Sequence, residues 1–216
     1  MHPAFDVIII IFLFAVFGYT HSILASEKIK VIFKNKFGEL IAFYRLIYNL
    51  FALCSLYFIY EISPKPHIII YDLPYPFDLI VLIPQFLSMI GAYWAFRYIC
   101  FKEFLGLDQV KRFFEKKYTT ELDEEYTLRI EGPYRYSRHP LYFFSIIFLL
   151  FRPVMDLFYL TFFSCIVVYF YIGSYYEEKK LVRMFGEVYS NYRKEVPRIF
   201  PLKLFKPYIQ KNTFGF

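Results

Sequence analysis

The chain has 216 residues, 58% of them hydrophobic and 24% aromatic, with a formal net charge of +6 and a mean hydropathy of +0.39. Soluble domains carry about half apolar residues, so this composition points to a membrane protein; with 8 Gly and 3 Cys it excludes a collagen-like repeat and a disulfide scaffold. The 25 Lys and Arg residues sit between the apolar runs, not on a basic stripe with interleaved aromatics, which argues against a nucleic-acid partner.

A helix needs about 20 apolar residues to cross a bilayer. In chain order, residues 5–25, 44–60 and 77–101 meet that need. Residues 140–176 are apolar except near Arg152, Pro153 and Asp156, which punctuate them as a hairpin turn would and leave segments 140–151 and 157–175. The fourth segment would rise only about 18 Å against a hydrocarbon core of about 30 Å. It is a partial span, or one extended by Arg152 reaching to the interface. The expected fold is therefore an all-α polytopic membrane protein, one membrane domain over 1–216 with five helical segments.

Lys and Arg alternate from side to side along this scheme. Residues 26–43 hold four, the connection 102–139 holds eight and the tail 177–216 holds nine, whereas the opposite side holds only Lys65 and Arg152. The positive-inside rule then places the N-terminus outside and the C-terminus in the cytoplasm, as an odd number of spans requires. No Lys or Arg precedes the first span and no small-residue cleavage site follows it, so it reads as a retained anchor. Cys54, Cys100 and Cys165 are isolated in apolar stretches without a CxxC pair, and read as small core residues rather than metal ligands.

The chemistry concentrates late in the chain. The connection 102–139 is long for a compact domain, which suggests a functional role, and it balances eight basic against eight acidic residues. It ends in Glu131-Gly132-Pro133-Tyr134-Arg135-Tyr136-Ser137-Arg138-His139-Pro140-Leu141-Tyr142. Gly132-Pro133 is a turn, and Pro140 suits a first helical turn. His139 then sits at the N-cap of the fourth segment, where amide N–H groups can receive an anionic group. The fifth segment leaves the membrane at Tyr175-Tyr176-Glu177-Glu178. Both clusters fall on one side of the same hairpin, so they can meet around a cationic, partly aromatic ligand.

Plainer roles compete with these. His139 can be a cap alone, Arg138 an anchor to headgroup phosphates, and Glu177 and Glu178 a solvated pair beside Lys179 and Lys180. His21 and Arg45, polar groups within spans, read as structural pairings near the cytoplasmic boundary.

The run GPYRYSRHPLY, the apolar hairpin, and EEKKLVRMFGEVYSNYRKEVPRIFP resemble the isoprenylcysteine carboxyl methyltransferase family of membrane enzymes over residues 126–201. The N-terminal half, with His21-Ser22, Leu24-Ala25-Ser26, Tyr44-Arg45 and Phe104-Leu105-Gly106-Leu107-Asp108-Gln109, is similar to the NnrU and methanethiol S-methyltransferase branch. The resemblance implies that S-adenosyl-L-methionine binds in a cytoplasmic pocket of the C-terminal hairpin. By motif position, Leu128, Tyr134, His139, Pro140, Tyr142 and Glu177 line it, with no metal. It also implies that the methyl acceptor is lipophilic or a small thiol or carboxylate compound, with membrane lipid as surroundings and no obligate protein partner. The prenylcysteine enzymes place a substrate-binding Arg four residues before this Glu, where Gly173 stands here, which weakens the case for a prenylcysteine carboxylate. The host membrane expected from the branch is the plasma membrane of a prokaryote. Two rival readings are an NAD(P)H-dependent sterol-reductase-like enzyme, from the similar hairpin and tail, and a small transporter or scaffold.

Overall fold

In the computed structural model, which describes residues 2–117, 122, 127–202 and 206–209, the apolar runs fold as helices. In chain order these are α1 (Pro3–Ala25), α2 (Glu27–Phe37), α3 (Ile41–Ile62), α4 (Phe77–Ile80), α5 (Leu82–Phe96), α6 (Phe101–Leu105), α7 (Leu107–Glu115), α8 (Pro140–Leu150) and α9 (Leu157–Glu195). Two short strands, β1 (Ile69–Asp72) and β2 (Val154–Asp156), complete the set. Among the described residues four helical stretches are long and apolar enough to cross a membrane: Pro3–Ala25, Glu27–Ile62, Phe77–Phe96 and Leu157–Glu195. The fold is all-α and polytopic. Their outer faces are apolar, with Ile8, Phe12, Leu53 and Phe86 all exposed, the pattern of helices whose solvent is lipid.

The described residues group into two compact units: 1–67 with 100–127, and 68–99 with 128–216. In the first unit, Ser26 ends α1 and starts α2, its hydroxyl donating to the Ile23 carbonyl at 2.6 Å while it stands as the α2 N-cap. The Tyr44 hydroxyl, on α3, donates to the Leu24 carbonyl at 2.7 Å. His21 and Tyr48 share a hydrogen bond, and the Arg45 Nε donates to the Phe104 carbonyl at 3.2 Å. Both polar groups within spans thus have structural partners.

In the second unit α5 packs on α8, and Gly91 makes this possible. A Cβ at Gly91 would lie 2.2 Å from the Phe144 ring. The expected span 77–101 is shorter than the sequence suggests. Pro84 lacks the N–H that would bond to Ile80, so α4 and α5 separate at Val81, and the helix ends at Phe96. α9 runs the other way, past the expected end at 175 to Glu195, with a break at Gly186 (φ 55°, ψ −128°). Asp156 caps its start, accepting from the Tyr159 amide at 2.7 Å.

Two expectations change. Residues 151–156, read as a turn, contain β2, which pairs antiparallel with β1 in the register Ile69↔Asp156 and Asp72↔Val154. The β-branched run at Ile68–Ile70 finds its partner far along the chain, so local periodicity does not reveal it. The Arg152 guanidinium in the same stretch lies 3.8 Å from the centre of the Tyr159 ring. Cys54 and Cys100 are exposed, not core, because a lipid-facing position accepts a weakly polar thiol as readily as a core does.

Candidate functional site

The second unit brings the two late motifs together. Gly132 takes φ +55° with its Cα against the Tyr98 ring, where a Cβ would lie 2.4 Å away; only glycine fits this turn. The 3-10 turn Gly132–Arg135 leads into Ser137-Arg138-His139 and then α8. This segment is held by the chain beyond α9. The Arg138 amide donates to the Pro197 carbonyl at 3.0 Å and the His139 amide to the Arg198 carbonyl at 2.9 Å. The Ser137 hydroxyl donates to the Ile199 carbonyl at 2.8 Å.

His139 is the N-cap residue of α8, but its side chain makes no capping hydrogen bond. Its ring faces two carboxylates instead: Nε2 lies 3.2 Å from Oε1 of Glu178 and Nδ1 lies 3.5 Å from Oε2 of Glu177. The Tyr142 hydroxyl donates to the same Glu177 oxygen at 3.4 Å. The rings of His139, Tyr142 and Phe170 form a parallel stack, with centroids 5.2 Å and 4.5 Å apart. Pro140 is fully buried at the foot of this stack. His139, Pro140, Tyr142 and Glu177 are therefore brought together as the sequence suggests.

Glu178 is the larger surprise. It is 1% exposed, whereas the Glu177 side chain is 51% exposed. Oε1 of Glu178 lies 2.9 Å from Nε of Arg138 and 3.5 Å from Nε of Arg198, besides His139. Burial opposes its ionisation, but the hydrogen bond from His139 and the charges of Arg138 and Arg198 outweigh it, so the carboxyl titrates below its ordinary range. Its other oxygen, Oε2, is buried with no hydrogen-bond partner among the described residues. The pair is thus not solvated as a whole, and Arg138, buried against Glu178, is no headgroup anchor.

Tyr134 and Leu128 are held by the last turns of α9. The Tyr192 hydroxyl donates to the Tyr134 carbonyl at 2.6 Å. Burial, with the nearby Glu177 charge, pushes the Tyr134 phenol well above its ordinary pKa, so it stays neutral. Leu128 packs with Ile130, Tyr189, Tyr192 and Val196 in an apolar cluster. A separate cleft of about 190 Å³, lined by Ile130, Glu131, Gly132, Arg135 and Tyr208, shares no residue with the His139 cluster.

Sequence reasoning gave no ligand-site role to Arg138, Glu178, Arg198 or Phe170. The helical repeat gives no way to choose between Glu177 and Glu178, since adjacent residues sit about 100° apart on either side of one inner stripe. The choice is made by Arg138 and Arg198, which are distant in sequence.

Comparison with known proteins decides the family. The chain is 30% identical over 199 residues to methanethiol S-methyltransferase of Crocosphaera subtropica, covering 88% of this chain and 72% of the relative. The chain belongs to the methanethiol S-methyltransferase family. It is also 28% identical over 199 residues to methanethiol S-methyltransferase 1 of Bradyrhizobium diazoefficiens, covering 90% of this chain and 67% of the relative. A shorter match to methanethiol S-methyltransferase of Pseudomonas deceptionensis has 38% identity over 68 residues, 32% of this chain and 26% of the relative. No family model matches the chain, and no solved structure matches it. These relatives favour a membrane methyltransferase over the reductase and transporter readings, and they belong to the branch that the N-terminal half resembles.

Proposed function

We propose that this chain transfers a methyl group from S-adenosyl-L-methionine to a small thiol, with methanethiol, named in its relatives, as the first acceptor to test. The observation that carries the reading is the meeting of Arg138-His139-Pro140 with Glu177-Glu178 in one polar cluster, open to water only at Glu177, beside stacked aromatic rings.

The residues fit the donor molecule. The unpartnered Oε2 of Glu178 can accept from a hydroxyl or ammonium group. The first-turn amides of α8 lack intrahelical carbonyl partners and suit a carboxylate. Within the stack both faces of Tyr142 are covered by its neighbours, so the outer face of Phe170 is the one that can attract a cation. We assign Leu128, Tyr134, His139, Pro140, Tyr142 and Glu177 to this pocket and add Glu178 on its burial and free oxygen.

S-adenosyl-L-methionine supplies an electrophilic methyl group on a sulfonium. The protein supplies orientation and a dry surrounding, in which a cation and an anionic nucleophile that neutralise each other react readily. Glu178 holds His139 through Nε2, leaving Nδ1 directed at Glu177. Glu177, half exposed and positioned by His139 and Tyr142, can take the proton released by the thiol directly and pass it to water. A thiol of pKa near 8.5 gains from such a route.

The Lys and Arg bias supports an orientation with the N-terminus outside, the C-terminus in the cytoplasm and the pocket open to the cytoplasm, and the sources of the relatives support the plasma membrane of a prokaryote. Calorimetry on the detergent-purified protein tests the cofactor. Saturable binding of S-adenosyl-L-methionine, weakened by Glu177→Ala, supports the reading; binding of a reduced nicotinamide cofactor alone overturns it.

A further inference from the structure

Residues 101–115 are built inside out for a segment surrounded by water. Glu103, Gln109 and Arg112 are turned inside: Arg112 donates to both Glu103 carboxylate oxygens at 2.9 Å and 3.1 Å, and Gln109 Nε2 donates to Oε1 of Glu103 at 2.8 Å. Gln109 is 2% exposed. The apolar groups are outside: Phe101, Phe104 and Leu107 are exposed, and Phe114 is 73% exposed. In water this arrangement leaves large apolar side chains wet and desolvates an ion pair. In lipid it is the expected one, with polar groups satisfied internally and apolar groups facing acyl chains.

The attachment to α3 sets the depth. The Phe104 carbonyl accepts from Arg45 Nε at 3.2 Å and from Asn49 Nδ2 at 2.9 Å. Gly106, at φ +94°, lies so close to α3 that a Cβ would meet the Leu46 amide nitrogen at 2.6 Å. Leu46 stands about 7.5 Å along α3 from its first residue at 1.5 Å per residue. At that level Ile47 and Leu50 of α3 are also exposed, so the apolar face of α6 and α7 continues that of a spanning helix. Lys102, Lys111, Lys116 and Lys117 border this face, with stems long enough to reach a phosphate level.

We propose that α6 and α7 lie in the bilayer, in the leaflet around the first turns of α3. Phe101, Phe104, Leu107 and Phe114 face acyl chains, and the bordering lysines face anionic headgroups. The segment is thus a membrane-seated platform rather than part of an aqueous connection, and the inference stands apart from the methyl-transfer reading.

The test uses the full chain in nanodiscs holding one protein each, made of phosphatidylcholine and phosphatidylglycerol. Trp94, the single tryptophan, is replaced (Trp94→Phe), and Phe114→Trp, Leu107→Trp or Lys111→Trp is added. Lipids brominated near the headgroup and aqueous acrylamide then compete as quenchers. The proposal expects bromolipid quenching of Phe114→Trp and Leu107→Trp at least about twofold greater than that of Lys111→Trp, with little acrylamide quenching. Strong acrylamide quenching without bromolipid quenching overturns it in favour of a water-exposed loop. Quenching by neither agent overturns it in favour of a protein-covered surface.

Discussion

Nε of Arg138 stands 2.9 Å from Oε1 of Glu178, and the two side chains are 8% and 1% exposed. Removing one partner leaves a buried charge, which costs about 3–5 kcal/mol, whereas replacing both with apolar groups is often tolerated. Glu178→Ala should therefore lower unfolding stability in mild detergent by about that amount, with Glu178→Leu/Arg138→Met losing less. A double variant no more stable than Glu178→Ala would show that this pair does not organise the site.

The same carboxylate gives a pH dependence with a definite sign. Its folded-state pKa lies below the ordinary 4.5, so the unfolded chain takes up this proton first as pH falls. The stabilisation is complete above the unfolded value and is lost as pH drops through the folded one. Unfolding of the wild type followed between about pH 6 and pH 3 should steepen below the ordinary carboxyl range. Glu178→Gln should flatten that limb; an unchanged limb would assign it to another group.

Gly91 lets α5 approach α8, since its Cβ position is filled by the Phe144 ring at 2.2 Å. Overpacking of this kind costs about 1–3 kcal/mol. Gly91→Ala should destabilise by that amount, and Phe144→Leu should relieve it in the double variant. Thermal unfolding of the set checks this, and simple additivity of the two changes would contradict it.

The parallel stack of Tyr142 on Phe170, centroids 4.5 Å apart, separates two roles of one tyrosine. Tyr142→Phe keeps the ring and loses the hydrogen bond to Glu177, while Tyr142→Ala loses both. If the Tyr142 ring positions Phe170 for the sulfonium, Tyr142→Ala should weaken donor binding roughly three- to thirtyfold and Tyr142→Phe much less. Equal losses in a titration would place the role in the hydroxyl.

The spans were legible because hydropathy needs only local sequence; α1 begins at Pro3 and α3 covers 41–62, around the expected segments. His139, Pro140, Tyr142 and Glu177 were legible as motifs flanking one hairpin, and the structure gathers them. What was hidden depends on distant partners. The β1–β2 pairing joins Ile69 to Asp156, and Glu178 is singled out from Glu177 by Arg138 and Arg198. The helices at Phe101–Glu115 were hidden for another reason: Glu103 and Arg112 pair with each other inside the segment, so the charge count there suggested an aqueous connection.

The most direct test of the central claim follows a labelled methyl group from S-adenosyl-L-methionine into volatile product, using the purified wild-type protein in nanodiscs with the small thiol proposed as acceptor. The account predicts product formation that saturates in both substrates and is lost in His139→Ala while the fold persists. Donor binding without any methylated thiol, or activity undiminished in His139→Ala, would contradict it.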